Sequence, residues 1–181
     1  MKSLKDQFIL WRIRSQKDAE AYGEIYDQYI AKIYRFIFFK VGRAEDAEDL
    51  ASETFLKTWQ YINEGKPVKN LNALLYSVAR NLVIDHFRSK KTRIEAVLDD
   101  EILENIGDEN RLVKNLEIGQ EMKNILLSLR SLKDEYREVI VMHYIDELQV
   151  GEIAEILGKT SGNVRVTLHR ALAAARETID H

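Results

Sequence analysis

The chain of 181 residues has no cysteine, one proline and a formal net charge of -3 at pH 7. The absence of cysteine excludes a disulfide scaffold, a thiolate metal site and a cysteine nucleophile. A content of 45% hydrophobic and 31% charged residues is ordinary for a folded globular protein, and this length can bury two small cores.

The N-terminal stretch MKSLKDQFILWRIRSQ carries charges throughout and lacks both a continuous apolar run and a small-residue cleavage site. It therefore does not match a secretory signal. No later stretch approaches the ~20 consecutive apolar residues that a membrane-spanning helix needs. We therefore expect a cytoplasmic protein without membrane insertion.

Apolar residues recur at steps of three and four along most of the chain, which predicts an all-α fold. One stripe runs from Tyr22 to Ile37, and a second, from Leu50 to Ile62, follows the acidic segment AEDAED. After the turn NEGKPVKN, a third stripe runs from Leu71 to Phe87 into a basic cluster. These helices predict a first domain over residues 1–92.

Residues 93–115 are acidic, contain Gly107 and show weak periodicity, so we expect a flexible linker there. Residues 116–181 resume the helical pattern and form the second predicted domain. The helical pattern restarts after the segment from Ser131 to Asp134, which has the spacing of a capping box. The stripe that follows continues through Val139 and Ile140 to His143 and Tyr144.

The segment VGEIAEILGKTSGNVRVTLHRALAAARE has the layout of a helix-turn-helix. Ala154 is small where the helices approach, Gly158 suits a turn with positive φ, and Thr160 is the expected N-cap. A plain structural helix pair is the alternative interpretation. The apolar stripe of the second helix consists of Val164, Leu168, Ala171, Leu172 and Ala175.

Two stretches are strongly basic despite the modest overall charge. One runs from Arg80 to Arg93 with Asp85 as its only acid. The other contains Lys159, Arg165, Arg170 and Arg176 without an acid. Both suit contacts with nucleic-acid phosphates. The alternative is that these cations complement helix dipoles and face water.

Three segments in the same order resemble regions of the extracytoplasmic-function (ECF) sigma factors of the sigma-70 superfamily. DAEDLASETFLKTW (46–59) resembles region 2.2, and LLYSVARNLVIDHFR (74–88) resembles regions 2.3 and 2.4. LKDEYREVIVMHYIDELQVGEIAEILGKTSGNVRVTLHRA (132–171) resembles region 4. The resemblance implies a bacterial promoter-recognition subunit that is not an enzyme and needs no cofactor.

The resemblance also implies partners: core RNA polymerase, through its beta-prime clamp and beta flap, promoter DNA, and in this family an anti-sigma factor. Some positions depart from the family pattern. Ser52 replaces a usual glutamine, Leu74 a tryptophan and Lys159 an apolar residue. Residues 163–167 replace a run usually written Thr-Val-Lys-Ser-Arg, so promoter preference cannot be carried over from relatives.

By resemblance, the region 2.2 helix contacts core polymerase. Its acidic side chains are expected at the rim of the polymerase contact. Its apolar side chains are expected either within that contact or in the domain core. The candidate residues are Asp49, Glu53, Phe55, Leu56 and Trp59.

Regions 2.3 and 2.4 imply recognition and opening of the minus-ten element. The turn from Tyr61 to Asn72 is expected to hold a flipped base beside a cationic helix surface. Asp85 has a structural alternative, an ion pair with Arg88. The candidate residues are Arg80, Asn81, Asp85, Arg88, Lys90 and Lys91.

Region 4 implies that the helix-turn-helix reads the minus-thirty-five element. Lys159 and Arg170 suit phosphate contacts, whereas Asn163 and Arg165, with Val166 or Thr167, suit sequence selection. The candidate residues are Lys159, Ser161, Asn163, Arg165, Thr167, His169 and Arg170.

Other classes of protein stay open at this point. A stand-alone helix-turn-helix regulator would bind DNA without polymerase, and a helical adaptor would show no DNA selectivity. The side chains that could serve an enzyme are scattered: Asp85 with His86, and His143 with Asp146 and Glu147. None of them has the spacing of HExxH, and no Walker loop is present. We therefore expect neither catalysis nor a metal site.

Overall fold

The computed structural model describes residues 4–16, 18–94, 129 and 131–179. This part of the chain is built from helices joined by short turns and contains no strand. The chain divides into two compact units, Met1–Asn110 and Arg111–His181. The predicted all-α class with two helical domains is confirmed. Most of the predicted linker, residues 95–115, lies outside the described residues.

The first unit contains four helices: α1 (Leu4–Gln16), α2 (Ala19–Val41), α3 (Ala44–Asn63) and α4 (Leu71–Ile94). Helix α2 packs on the other three, and α3 packs on α1 and α4. Helices α2 to α4 follow the three predicted stripes, except that Phe87, the last residue of the third stripe, is 47% exposed. Helix α1 had not been predicted. Fully buried members of this core include Ile9, Ile13, Ile25, Ile33, Tyr34, Phe36, Ile37, Ile62, Leu75 and Tyr76.

Local capping explains where α2 begins and ends. The Asp18 side chain accepts a hydrogen bond from the Ala21 N–H at 3.0 Å, which satisfies one unpaired donor of the first turn. Gly42 ends the helix at φ 74°, and its N–H donates to the Phe38 carbonyl at 2.9 Å. Glycine adopts this left-handed conformation without the steric penalty of a side chain.

Arg12 ties α1 to the start of α2. Its Nη2 and Nε donate to Asp18 at 2.7 and 3.0 Å, and its Nη1 donates to Glu24 at 2.6 Å. The Ala21 N–H and the Arg12 guanidinium together hold the pKa of Asp18 below its usual value. The entry of the chain into α2 is therefore fixed from both sides.

The second unit contains α5 (Asp134–Ile140), which runs into a π-helical turn (Val141–Ile145), then α6 (Val150–Leu157) and α7 (Ser161–Ile179). Helix α7 packs on both α5 and α6. Apolar side chains from all three helices and from the turn before α6 form the core of this unit. Its buried members include Val139, Met142, Leu148, Ile153, Ile156, Val164, Leu168 and Ala171.

The π-helical turn changes which side chains enter this core. The Asp146 N–H donates to the Val141 carbonyl at 2.9 Å, a spacing of five residues. The extra residue in the turn brings Met142 into the core and turns Tyr144 outward, where it is 53% exposed. The prediction that Tyr144 continues the apolar stripe was therefore wrong.

The segment from Ser131 to Asp134 leads into α5, where the helical pattern restarts as predicted. Helix α5 begins after Lys133, which makes no side-chain capping bond. A capping box is found instead at α6, where the Gln149 N–H donates to the Glu152 carboxylate at 3.0 Å.

Candidate nucleic-acid and docking surfaces

Helices α6 and α7 form the predicted helix-turn-helix. Gly158 has φ 62°, as the turn requires. The Asn163 N–H donates to the Thr160 hydroxyl at 3.2 Å, so Thr160 caps α7. Both predictions are confirmed, and Ala154 is buried as expected.

The exposed face of α7 has Val166 at its centre. Val166 is 51% exposed and lies opposite the buried Val164 and Leu168. With 3.6 residues per turn, Asn163 and Arg165 fall on opposite flanks of Val166. Arg170 shares the flank of Asn163, and His169 shares the flank of Arg165. The helix therefore presents an apolar centre between two polar edges.

The predicted readers of the second unit differ in exposure. Lys159, Asn163, Arg165, His169 and Arg170 are exposed, whereas Ser161 and Thr167 are half-buried. The Thr167 hydroxyl donates to the Asn163 carbonyl at 2.9 Å, a bond within its own helix. Thr167 is therefore less suited to reading bases than the sequence suggested.

Glu135 lies beside this surface, although no motif or periodicity in the sequence points to it. Its carboxylate accepts a hydrogen bond from the Lys159 ammonium. This bond, together with the charges of Lys159, Arg170 and Lys133, lowers the pKa of Glu135. One of the predicted phosphate ligands, Lys159, is thus paired with an acid of α5.

In the first unit, α4 exposes a mixed face. Asn81, Ile84, Asp85 and Arg88 lie on it together, and Ile84 is 43% exposed. Arg80 is half-buried at its flank. Ile84 is an apolar member of this surface that the sequence analysis had not identified. The predicted Lys90 and Lys91 lie in the last turns of α4, and their side chains are outside the described residues.

The loop of residues 64–70 lies between α3 and α4, within the predicted base pocket. Gly65 adopts φ 75°, and the Asn70 side chain accepts from the Ala73 N–H at 3.2 Å to cap α4. Arg14 of α1 donates through Nη2 to the Lys66 carbonyl at 2.6 Å. The loop is therefore held in its middle by Arg14 and at its end by Asn70.

A cation and an aromatic ring meet at this loop. The Lys66 Nζ lies 5.2 Å from the centroid of the Tyr61 ring and 2.5 Å from Glu64. A ring and an ammonium side by side suit a nucleobase and its phosphate. Arg14 supports the loop from outside the segments on which the resemblance rests.

An apolar groove of about 240 Å³ lies between α2 and α3. The rings of Tyr22 and Trp59 pack at 4.8 Å, and the Tyr22 hydroxyl donates to the Phe55 carbonyl. Burial raises the pKa of Tyr22. The lining residues are Ala19, Tyr22, Phe55, Leu56 and Trp59.

The predicted polymerase-binding residues separate into two groups. Phe55 is 3% exposed and packs on Tyr26 at 4.8 Å, so it belongs to the domain core. Leu56 is 56% exposed, and Trp59 is half-buried at the groove. Asp49 is exposed, and Glu53 pairs with Lys57 at 2.9 Å.

Within the described residues, no three His, Asp or Glu side chains cluster so that they could hold a metal ion. Among the same residues, no helix is long and apolar enough to cross a membrane.

A helix-turn-helix unit joined to a second helical unit with a polar and aromatic loop defines a class of DNA-binding transcription proteins. Family models match both units: Sigma-70 region 2 over residues 25–93 and Sigma-70, region 4 over residues 122–174. The ECF RNA polymerase sigma factor SigW of Bacillus subtilis (strain 168) is 33% identical over 185 residues, covering 96% of this chain and 98% of SigW. The chain belongs to the ECF family of RNA polymerase sigma factors, which direct promoter recognition.

A second relative is the ECF RNA polymerase sigma factor BldN of Streptomyces coelicolor. It is 34% identical over 163 residues, covering 86% of this chain and 59% of BldN. CnrH, solved in complex with the cytosolic domain of CnrY, has a TM-score of 0.70 at 20% identity, with 97% of each chain covered. The sigma factor RpoE, solved with the anti-sigma factor NepR from Bartonella quintana, has a TM-score of 0.72 at 19% identity, covering 87% of this chain and 96% of RpoE. These two likenesses concern the fold.

Proposed function

We propose that the first unit docks on core RNA polymerase and opens the minus-ten element, and that the second unit reads the minus-thirty-five element. The α7 surface carries the proposal, because Asn163, Val166 and Arg165 stand side by side on the exposed face of a helix-turn-helix. In this proposal the chain acts in the bacterial cytoplasm and contributes binding, not catalysis.

The chemistry of this face matches the edges of base pairs in the major groove. The guanidinium of Arg165 suits guanine O6 and N7, and the amide of Asn163 suits adenine N6 and N7. Val166 offers an apolar contact for a thymine methyl group between them. Arg170 and Lys159 then set the register of the helix through phosphates.

The first unit presents a surface for the separated DNA strands of the minus-ten element. The last turn of α3 presents Tyr61, the α3–α4 loop presents Lys66, and the adjoining α4 face presents Asn81, Asp85 and Arg88. Each base that stacks on an aromatic ring gains about 1 to 3 kcal/mol, without demand for a particular sequence. Arg80, Lys90 and Lys91 belong to the same proposed site through phosphate contacts.

The exposed face of α3 is the proposed polymerase contact. Leu56 and the rim of Trp59 present apolar surface at the groove, with Asp49 and Glu53 beside them. A net charge of -3 provides little phosphate neutralisation for a protein that binds DNA alone. Attachment to polymerase supplies that missing affinity by raising the effective concentration of both units at the promoter.

Run-off transcription tests the proposal directly. Bacterial core polymerase is incubated with genomic fragments from the source organism, with and without the full chain. We expect new, discrete start sites that disappear with Asn81→Ala or Arg165→Ala. Arg43→Ala, a change at an exposed arginine that pairs with Glu45 at 3.5 Å, serves as the control and should keep them.

Gel-shift assays of promoter DNA and of core polymerase, run beside the transcription assay, separate the rival functions. DNA binding without polymerase, with no new start sites, would support a stand-alone helix-turn-helix regulator. Binding to polymerase without new starts or DNA selectivity would support a helical adaptor instead.

An anti-sigma factor belongs to the proposal as a second protein partner. Its support is that CnrH and RpoE, which share this fold, were solved with CnrY and NepR bound. We expect such a partner to compete with core polymerase for the groove beside Leu56. Leu56→Asp should therefore weaken both complexes.

A further inference from the structure

Glu135 is an acid bonded to Lys159, a residue of the proposed DNA surface of the second unit. It belongs to the first turn of α5 and is 24 residues from Lys159 in sequence, yet the two side chains are hydrogen-bonded. Both remain accessible, with 52% of the Glu135 side chain and 35% of the Lys159 side chain exposed. A phosphate from solvent can therefore reach this ion pair.

The surroundings of Glu135 are cationic. Besides Lys159, the positive charges of Arg170 and Lys133 act on its carboxylate and favour its charged form. Lys159 and Arg170 are the two side chains that suit phosphate contacts in the proposed minus-thirty-five site. A fixed negative charge at this place competes with DNA phosphates for the same cations.

We propose that Glu135 is a positioning residue for promoter DNA, which holds the Lys159 ammonium until a phosphate in the correct register displaces it. The inference rests on the proposed role of the second unit. On DNA without the minus-thirty-five sequence, base contacts do not fix a phosphate opposite Lys159, so the ion pair persists. Lys159 then contributes to promoter binding and not to binding of unrelated DNA.

Counterion release makes this inference measurable. Each cation that neutralises a phosphate changes the slope of log affinity against log salt by about 0.9. Glu135→Gln frees Lys159 while it keeps the size of the side chain. We expect the slope on unrelated DNA to steepen by about 0.9, which corresponds to an affinity gain about threefold larger at ~50 mM than at ~200 mM salt.

The experiment uses holoenzyme reconstituted from core polymerase and the full chain. Its probes are a promoter duplex found by run-off transcription and the same duplex with a scrambled minus-thirty-five element, titrated by fluorescence anisotropy over a range of salt. The variants are Glu135→Gln, Lys159→Gln and the double substitution. Asp134→Asn is the matched control, since Asp134 is also an exposed acid of α5 but pairs with Arg137.

For Glu135→Gln alone, we expect a steeper slope of log affinity against log salt on the scrambled duplex. We also expect a smaller preference for the promoter duplex. Lys159→Gln should abolish the effect of Glu135→Gln, and Asp134→Asn should match the wild type. An unchanged slope, a loss of affinity in Glu135→Gln, or an equal change in Asp134→Asn would overturn the inference. Absence of promoter activity in the wild-type holoenzyme would instead overturn the proposed function.

Discussion

Phe55 and Leu56 are neighbours in the sequence and lie on different faces of α3: Phe55 is 3% exposed and Leu56 is 56% exposed. Phe55 packs against Tyr26 in the core, whereas Leu56 borders the groove with Trp59. The two side chains therefore divide the predicted docking segment into one residue that stabilises the unit and one that is free to contact a partner.

Substitutions at these two positions should affect different properties: stability at Phe55 and polymerase binding at Leu56. Phe55→Ala should lower the free energy of unfolding by about 3 to 5 kcal/mol, because it leaves a cavity in the core. Leu56→Ala should change it by less than about 0.5 kcal/mol, while it weakens binding to core polymerase. Chemical denaturation and titration of labelled protein with core polymerase measure the two effects.

Ile84→Ala is a matched control for Leu56→Ala, because Ile84 is an exposed aliphatic residue of the same unit, 43% exposed on α4. It should leave binding to core polymerase unchanged. Equal loss of binding in both variants would contradict a specific contact at Leu56.

Tyr34 is a buried tyrosine whose hydroxyl has no hydrogen-bond partner among the described residues. Tyr34→Phe should therefore raise the free energy of unfolding by about 1 kcal/mol, because it removes an unsatisfied polar group. Tyr22→Phe should lower it by a similar amount, since the Tyr22 hydroxyl bonds the Phe55 carbonyl. Urea denaturation of both variants near neutral pH checks these signs; destabilisation by Tyr34→Phe would contradict the first.

The same tyrosine gives the first unit a dependence on alkaline pH. Burial, with a smaller contribution from the charge of Glu48, raises the pKa of Tyr34 from 10.0 to about 12. Between these values the folded chain keeps a proton that the unfolded chain has released, so stability falls as pH rises through this window. Tyr34→Phe should make that decline shallower in denaturation experiments at pH values from about 10 to 12.

The sequence predicted the parts of the fold that depend on local patterns. Helices α2, α3 and α4 each bury one stripe, and Gly158 and Thr160 mark the turn of the helix-turn-helix by their residue types. Helix α1 was not predicted, because its apolar residues lie on more than one side of the helix and form no single stripe. Ile9 and Ile13 are buried, whereas Phe8 and Trp11 are 59% and 55% exposed.

Parts of the candidate site that depend on contacts between residues far apart in the sequence could not be predicted. Arg14 supports a carbonyl 52 residues away, and Glu135 pairs with a lysine 24 residues away. Neither pair leaves a periodic or spacing signal, because each depends on how helices pack.

The turn between α6 and α7 should respond to a backbone change alone. Gly158 has φ 62°, and no atom lies within 4 Å of a Cβ built there. Gly158→Ala should therefore destabilise the second unit by about 1 kcal/mol through backbone strain. Gly158→Asn should have a smaller effect, because asparagine tolerates this conformation.

Gly151 in α6 provides the contrast. Its Cβ position is also open, and its φ is not positive. Gly151→Ala should raise the stability of the second unit by roughly 0.5 to 1 kcal/mol, since alanine favours the helix. Thermal unfolding of both variants gives the comparison; a loss of several kcal/mol in Gly158→Ala would mean that steric contacts, not backbone strain, determine the effect.

Arg14 should affect DNA opening although it belongs to α1 and not to the proposed DNA surface. Its bond to the Lys66 carbonyl holds the α3–α4 loop, which is the proposed receptor for an unpaired base. Loss of one such hydrogen bond is worth about 1 kcal/mol, or roughly a fivefold change in an equilibrium. Arg14→Ala should therefore reduce the equilibrium constant for open-complex formation about fivefold, as measured by 2-aminopurine fluorescence within the minus-ten element.

Two comparisons show whether this effect passes through the loop. Arg14→Ala should leave the affinity for core polymerase unchanged, because the groove beside Leu56 does not include Arg14. Arg43→Ala removes an equal charge from the first unit at an exposed pair with Glu45, and it should leave opening unchanged. If both arginine variants reduce opening to the same extent, general electrostatic attraction of DNA explains the loss and the loop contact does not.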